Sequence, residues 1–88
     1  MYNITNYSYK KAKEYGVVIK PSSRKNKKID VYKDGKYLVS IGDSRYLDYP
    51  SFIEKYGLEY ANQKRKLWLN RHKNNTGLAG FYAKNILW

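Results

Sequence analysis

Two basic clusters are the residues best placed to do chemistry. Arg24-Lys25-Asn26-Lys27-Lys28 follows Pro21-Ser22-Ser23, and Lys64-Arg65-Lys66 is followed by Arg71-His72-Lys73. Ammonium and guanidinium groups neutralise phosphates and release the counterions condensed on a nucleic acid. Cations on a loop and cations along a helix are two ways of gripping such a backbone. The competing reading is a solvated surface that keeps a Tyr-rich chain in solution. Nothing in the sequence matches a helix-turn-helix, zinc finger, RRM or KH signature, so base-specific readout has no support. His72 is the sole histidine. A histidine base is normally paired with a Ser, a Cys or a second His, and no such pairing is visible, so His72 reads as a capping or packing residue. Asp43 and Asp48 are candidates for a pair of metal-binding carboxylates. Flanked by Ser44, Arg45 and Pro50, they read better as turn and cap residues. The expectation is a non-enzymatic protein with no cofactor and no metal site.

Composition narrows the classes further. The chain has 88 residues, with 18 Lys and Arg against 7 Asp and Glu, for a net charge of +11. One domain over residues 1–88 is the natural reading at this length. The absence of Cys excludes a disulfide scaffold, a thiolate zinc site and a Cys nucleophile. No apolar run approaches the ~18 residues of a membrane span. Met1-Tyr2-Asn3-Ile4-Thr5-Asn6 holds no apolar signal core, so the expected location is the host cytoplasm or a virion, without secretion and without a membrane partner. Charge is uneven. Residues 1–33 carry nine bases and two acids, residues 34–57 three and four, and residues 58–88 six and one. Two basic regions therefore flank a near-neutral middle. The 11 Tyr, 2 Trp and 2 Phe must supply much of the core, with Tyr hydroxyls finding water or backbone partners.

The elements that position these groups are partly legible. Residues 1–8 read as a polar, flexible tail. Tyr9 to Tyr15 suits two helical turns ended by Gly16, and Val17-Val18-Ile19-Lys20 suits a strand. Residues 28–41 alternate on both sides of Asp34-Gly35, a hairpin signal. A two-residue loop would pair Val31 with Leu38 and split the apolar set between faces. A three-residue loop, Lys33-Asp34-Gly35, would pair Val31 with Tyr37 and Ile29 with Val39. That register gathers Ile29, Val31, Tyr37, Val39 and Ile41 on one face and is therefore preferred. Asp48 or Ser51 caps a helix over residues 50–56, with Pro50 in its first turn. Leu58 to Lys73 is the strongest helix, with Leu58, Ala61, Arg65, Trp68 and His72 on one stripe. This stripe makes Trp68 a core residue. Arg65 and Arg71 are candidates to pair with Asp43 or Asp48. Asn74-Asn75-Thr76-Gly77 breaks the helix. A last helix over 78–88 turns Leu78 and Phe81 inward, and Ile86-Leu87-Trp88 docks on the core or on a partner. The fold class expected is α+β: a small antiparallel sheet of two or three strands against two or three C-terminal helices.

Several of these segments occur together in a known order. Ile41-Gly42-Asp43-Ser44-Arg45-Tyr46 leads to Asp48-Tyr49, then Lys64-Arg65, Arg71-His72, Ala79-Gly80-Phe81-Tyr82-Ala83 and Ile86-Leu87-Trp88. Over residues 28–88 this resembles a group of short, Lys-rich proteins of large DNA viruses and tailed phages. The resemblance implies a viral origin rather than an activity. It matches Arg65, Arg71, His72, Gly80, Phe81 and Trp88. Four of these, Arg65, His72, Phe81 and Trp88, would form a structural clasp between helix and C-terminus. Residues 1–27 lie outside it.

The leading expectation is a small protein that binds nucleic acid non-specifically through its phosphates. Arg24, Lys25, Lys27 and Lys28 would act from the loop, and Lys64, Lys66, Arg71 and Lys73 from the helix. The alternative is an interaction protein, a capsid-lining component or an inhibitor, whose charge steers it to an acidic protein surface while Tyr side chains anchor it.

Overall fold

In the computed structural model, described over residues 2–74 and 77–88, the amino-terminal segment is folded down on the rest. Thr5 caps helix α1 (Asn6–Glu14), its hydroxyl accepting the Ser8 backbone N–H at 3.2 Å. A cap of this kind satisfies a donor that the first helical turn leaves open. Ser8 is fully buried, and its hydroxyl donates to the Ile86 carbonyl at 2.9 Å. Tyr7 donates to the Trp88 carbonyl from the same helix, at 3.3 Å. The expectation of a flexible tail over residues 1–8 is thus corrected for residues 2–8; Met1 lies outside the described residues. Short hydroxyl side chains make this segment look polar in sequence, yet Thr5 and Ser8 both find partners.

Gly16, at φ 69°, turns the chain out of α1 and into strand β1 (Val18–Pro21). β1, β2 (Lys27–Lys33) and β3 (Lys36–Asp43) form an antiparallel sheet in that order. The β2–β3 turn departs from expectation. Asp34 and Gly35 both take positive φ, 53° and 76°, and Lys33 pairs with Lys36 around a two-residue loop. Both central residues are left-handed, as a type I′ turn requires. The register is then reset by a bulge. Tyr32 pairs with Tyr37, but Val31 pairs with Val39, so Leu38 is the extra residue. Ile29 meets Ile41 beyond it, and Ile19 of β1 meets Val31. The requirement for a common apolar face is met by a bulge outside the turn instead of a longer loop within it. The consequence is that Tyr37 moves to the opposite face. There its ring meets Tyr32 edge-on at 5.9 Å, and its hydroxyl joins Ser40 and Asp30 in a hydrogen-bonded chain.

Asp48 caps α2 (Tyr49–Tyr56), accepting the Ser51 N–H at 3.0 Å, and Pro50 falls in the first turn. Gly57, at φ 95°, separates α2 from α3 (Leu58–Arg71), which packs against it as a helical hairpin. The expected α3 stripe is only partly used. Ala61 is buried, and Trp68 and His72 are half-buried, while Leu58 and Arg65 are exposed. The break after α3 includes Asn75 and Thr76, which lie outside the described residues. The chain then forms α4 (Leu78–Tyr82) and a π-helical turn (Ala83–Leu87), in which the Trp88 N–H reaches the Ala83 carbonyl five residues back.

The core lies between the sheet and these helices. Ile29, Val31, Ile41, Ile86 and Leu87 are at most 1% exposed, and Ala12, Val17, Ile19, Tyr49, Ala61, Tyr82 and Trp88 complete the cluster. Complete burial of each large aliphatic side chain contributes about 1.5–3 kcal/mol. Ile86-Leu87-Trp88 therefore docks on the chain's own core. Leu78 and Phe81, expected inward, are about half exposed. The fold is α+β, and no helix among the described residues is long and apolar enough to cross a membrane.

Candidate nucleic-acid interface

A cleft of about 770 Å³ opens between the far end of the β2–β3 hairpin, the loop before α2, the C-terminal half of α3 and the last segment of the chain. Its aromatic wall follows from sequence spacing. Trp68 and His72 are four residues apart on α3, and their rings stack at 4.2 Å and 16°. Trp88, brought in by the π-helical turn, stacks on Trp68 at 5.2 Å and 13°. Phe52 of α2 continues the series beside Trp88 at 6.1 Å, followed by Tyr60 at 5.8 Å. His72 is fixed by its Nδ1, 2.9 Å from the Trp68 carbonyl, and its backbone N–H closes the helix on the same oxygen.

The two basic regions meet at this cleft. Lys27 comes from the start of β2, and Lys64 and Arg71 come from α3. Among the described residues none of these three cations forms an ion pair. Lys64 lies over the Tyr60 ring at 5.4 Å, an arrangement that leaves its charge uncompensated. The nearby carboxylates are occupied. Asp43 accepts from Arg45 Nε at 3.0 Å and Nη2 at 2.8 Å and from its backbone N–H. These bonds, with smaller contributions from the charges of Arg45 and Lys27, lower the pKa of the Asp43 carboxyl to about 2.

Asp48 has a different partner. Its Oδ2 lies 2.9 Å from Lys28 Nζ and accepts the Tyr2 hydroxyl at 2.5 Å. Both side chains of the ion pair are at most 5% exposed. Burial pushes the Asp48 carboxyl up, but the Lys28 charge and the bonds from Tyr2, Lys28 and Ser51 outweigh it, and the net displacement is downward. Tyr2 is pushed up, first by burial and then by its bond to Asp48. Lys28 is therefore corrected as a phosphate ligand. Its ammonium is an internal counter-charge that ties the amino-terminal segment, β2 and the α2 cap together.

The remaining expected residues divide. Arg24 lies over the Tyr37 ring at 4.8 Å and lines a shallow groove shared with Lys27. Lys25 is exposed on the same loop, and Lys66 and Lys73 are exposed away from the cleft lining. Of the expected clasp, His72 and Trp88 do come together through Trp68. Arg65 instead lies over Tyr49 at 5.3 Å, and Phe81 packs edge-on against Tyr15 at 5.7 Å. Arg65 and Arg71 do not pair with Asp43 or Asp48, because Arg45 and Lys28 already hold those carboxylates. Tyr46 and Leu47, to which the sequence reading gives no site role, border the cleft from the loop, with Tyr46 68% exposed. An aromatic-aliphatic pair inside a polar turn was the available signal. No three His, Asp or Glu side chains gather among the described residues in a way that would hold a metal ion. No family model, curated protein or solved structure matches the chain.

Proposed function

We propose that this is a small non-enzymatic protein that binds nucleic acid through its phosphates, without sequence readout, and that it is a viral or phage component carried with DNA in the virion. The observation that carries the reading is the convergence of Lys27 with Lys64 and Arg71 around one cleft, none of them in an ion pair among the described residues, while the two carboxylates that line the cleft, Asp43 and Asp48, are bonded to Arg45 and Lys28. Cations gathered in excess of the carboxylates beside them repel one another, and a polyanion relieves that repulsion. Arg24, Lys25, Lys66 and Lys73 extend the positive surface beyond the rim.

The test is binding to labelled duplex and single-stranded DNA across a salt series, against an unrelated protein of the same net charge. Engagement of the three rim cations alone sets a log–log slope of about −2.7 on duplex DNA, at roughly −0.9 per phosphate. Affinity above the control with at least that slope supports the reading. Affinity equal to the control removes it. A second reading, an interaction module for an acidic protein surface, draws on Tyr56, Leu58 and Tyr60 around the α2–α3 turn, which are 38–56% exposed. It becomes the better reading if charge variants leave DNA binding unchanged.

A further inference from the structure

The ring series in the cleft has an unfinished end. Trp88 is 9% exposed and flanked by Trp68 and Phe52, and Trp68 is stacked between Trp88 and His72. Among the described residues His72 has no ring neighbour other than Trp68. It lies at the C-terminus of α3, half-buried, in the cleft lining beside Arg71. Tyr46 and Leu47 bring exposed apolar surface to the same cleft from a separate element. Flat rings are added to such a column by stacking, and base–aromatic stacking tolerates any base because every base has a π-face.

We propose that the cleft takes an unpaired nucleobase, stacked on His72, with Arg71, Lys64 and Lys27 holding the flanking phosphates, so that the protein selects single-stranded nucleic acid over duplex. The inference rests on the phosphate-binding reading above and adds the substrate class. Two features carry it. The volume falls within the roughly 300–1,000 Å³ of small-molecule sites. The polar rim and aromatic wall match the two halves of a nucleotide, a charged phosphate and a flat apolar ring. In a duplex the bases are already stacked on each other, so only the phosphates could reach the rim, and the aromatic wall would stay unused.

The experiment compares three labelled probes of equal length and charge per strand: oligothymidylate, an abasic oligonucleotide and a duplex. The wild type should bind oligothymidylate most tightly, with quenching of tryptophan emission through the Trp68 stack. His72→Ala should weaken oligothymidylate binding by roughly 5–150-fold, the range for loss of one stacked base, and leave the duplex and abasic probes unchanged. His72→Phe keeps a flat ring and should retain the affinity; it also controls for any loss of folding in His72→Ala. Tyr46→Ala, in an exposed loop, should weaken the oligothymidylate selectively as well. Equal binding of all three probes, unaffected by His72→Ala and with the steep salt dependence intact, overturns the base site and leaves phosphate binding standing. Binding of every probe no tighter than the charge-matched control overturns both.

Discussion

Replacing Lys28 with Met removes its ammonium while keeping most of its apolar stem, and the structure sets the cost. The ammonium and the Asp48 carboxylate are 2.9 Å apart, with side-chain exposures of 5% and 1%. Removing one member of such a pair leaves the other charge buried without compensation, which costs about 3–5 kcal/mol. A chain of 88 residues has a total stability of only about 4–13 kcal/mol, so Lys28→Met should lose a large share of it. Asp48→Asn should be costly for the mirror reason, although the amide can still cap α2. The double variant removes both charges and should be more stable than the sum of the two losses implies, by up to about 3 kcal/mol. Urea unfolding followed by circular dichroism measures all four proteins. The pH dependence has a definite sign. Asp48 titrates lower in the folded chain than the roughly 3.9 of a free carboxyl. The stabilisation is therefore complete above about pH 4 and is lost as pH falls through the lowered folded value, so wild type and Lys28→Met should converge in acid. Single variants costing less than about 1 kcal/mol, with additive losses, would refute the assignment of Lys28 as an internal counter-charge.

Two further variants test the frame around the cleft. Gly42 and Gly35 both take positive φ, but a Cβ at Gly42 would fall 2.7 Å from Leu87 Cδ1, whereas no atom of the described residues outside the turn lies within 4 Å of one at Gly35. Gly35→Ala should thus cost about 1 kcal/mol from backbone strain alone, and Gly42→Ala distinctly more, read as a lower urea midpoint. Ser8→Ala should cost about 1–3 kcal/mol by leaving the Ile86 carbonyl without its buried donor; an unchanged midpoint would mean that α1 is not held by that bond.

What the sequence disclosed was mostly local. Asp34-Gly35 between alternating strands specified a hairpin, and Asp48-Tyr49-Pro50 specified a helix start, because each signal lies within a few residues of the element it governs. The register was harder. A longer loop and a bulge at Leu38 both bring Ile29, Val31, Val39 and Ile41 to one face, and alternation alone does not choose between them. Lys28 was unreadable for another reason. It belongs to the densest basic run, and only the meeting of β2 with a cap twenty residues later makes it internal. Ser8 was hidden similarly, since its acceptor is 78 residues away. The α3 stripe identified Ala61 and the Trp68–His72 end of the cleft, while its burial at Leu58 failed because that residue follows directly on the α2–α3 turn, where it is 56% exposed.

If the cations around the cleft grip nucleic acid, and net charge alone does not, their position must matter more than their number. Two triple variants with equal loss of charge test this most directly on a single-stranded probe across a salt series: Lys27→Ala/Lys64→Ala/Arg71→Ala at the rim, and Lys10→Ala/Lys33→Ala/Lys36→Ala at exposed positions elsewhere. The rim variant should flatten the log–log slope by about 2, at roughly 0.7 for each phosphate no longer neutralised, while the second should leave the slope near that of the wild type. Equal flattening by both variants, or by neither, would contradict phosphate binding at the cleft.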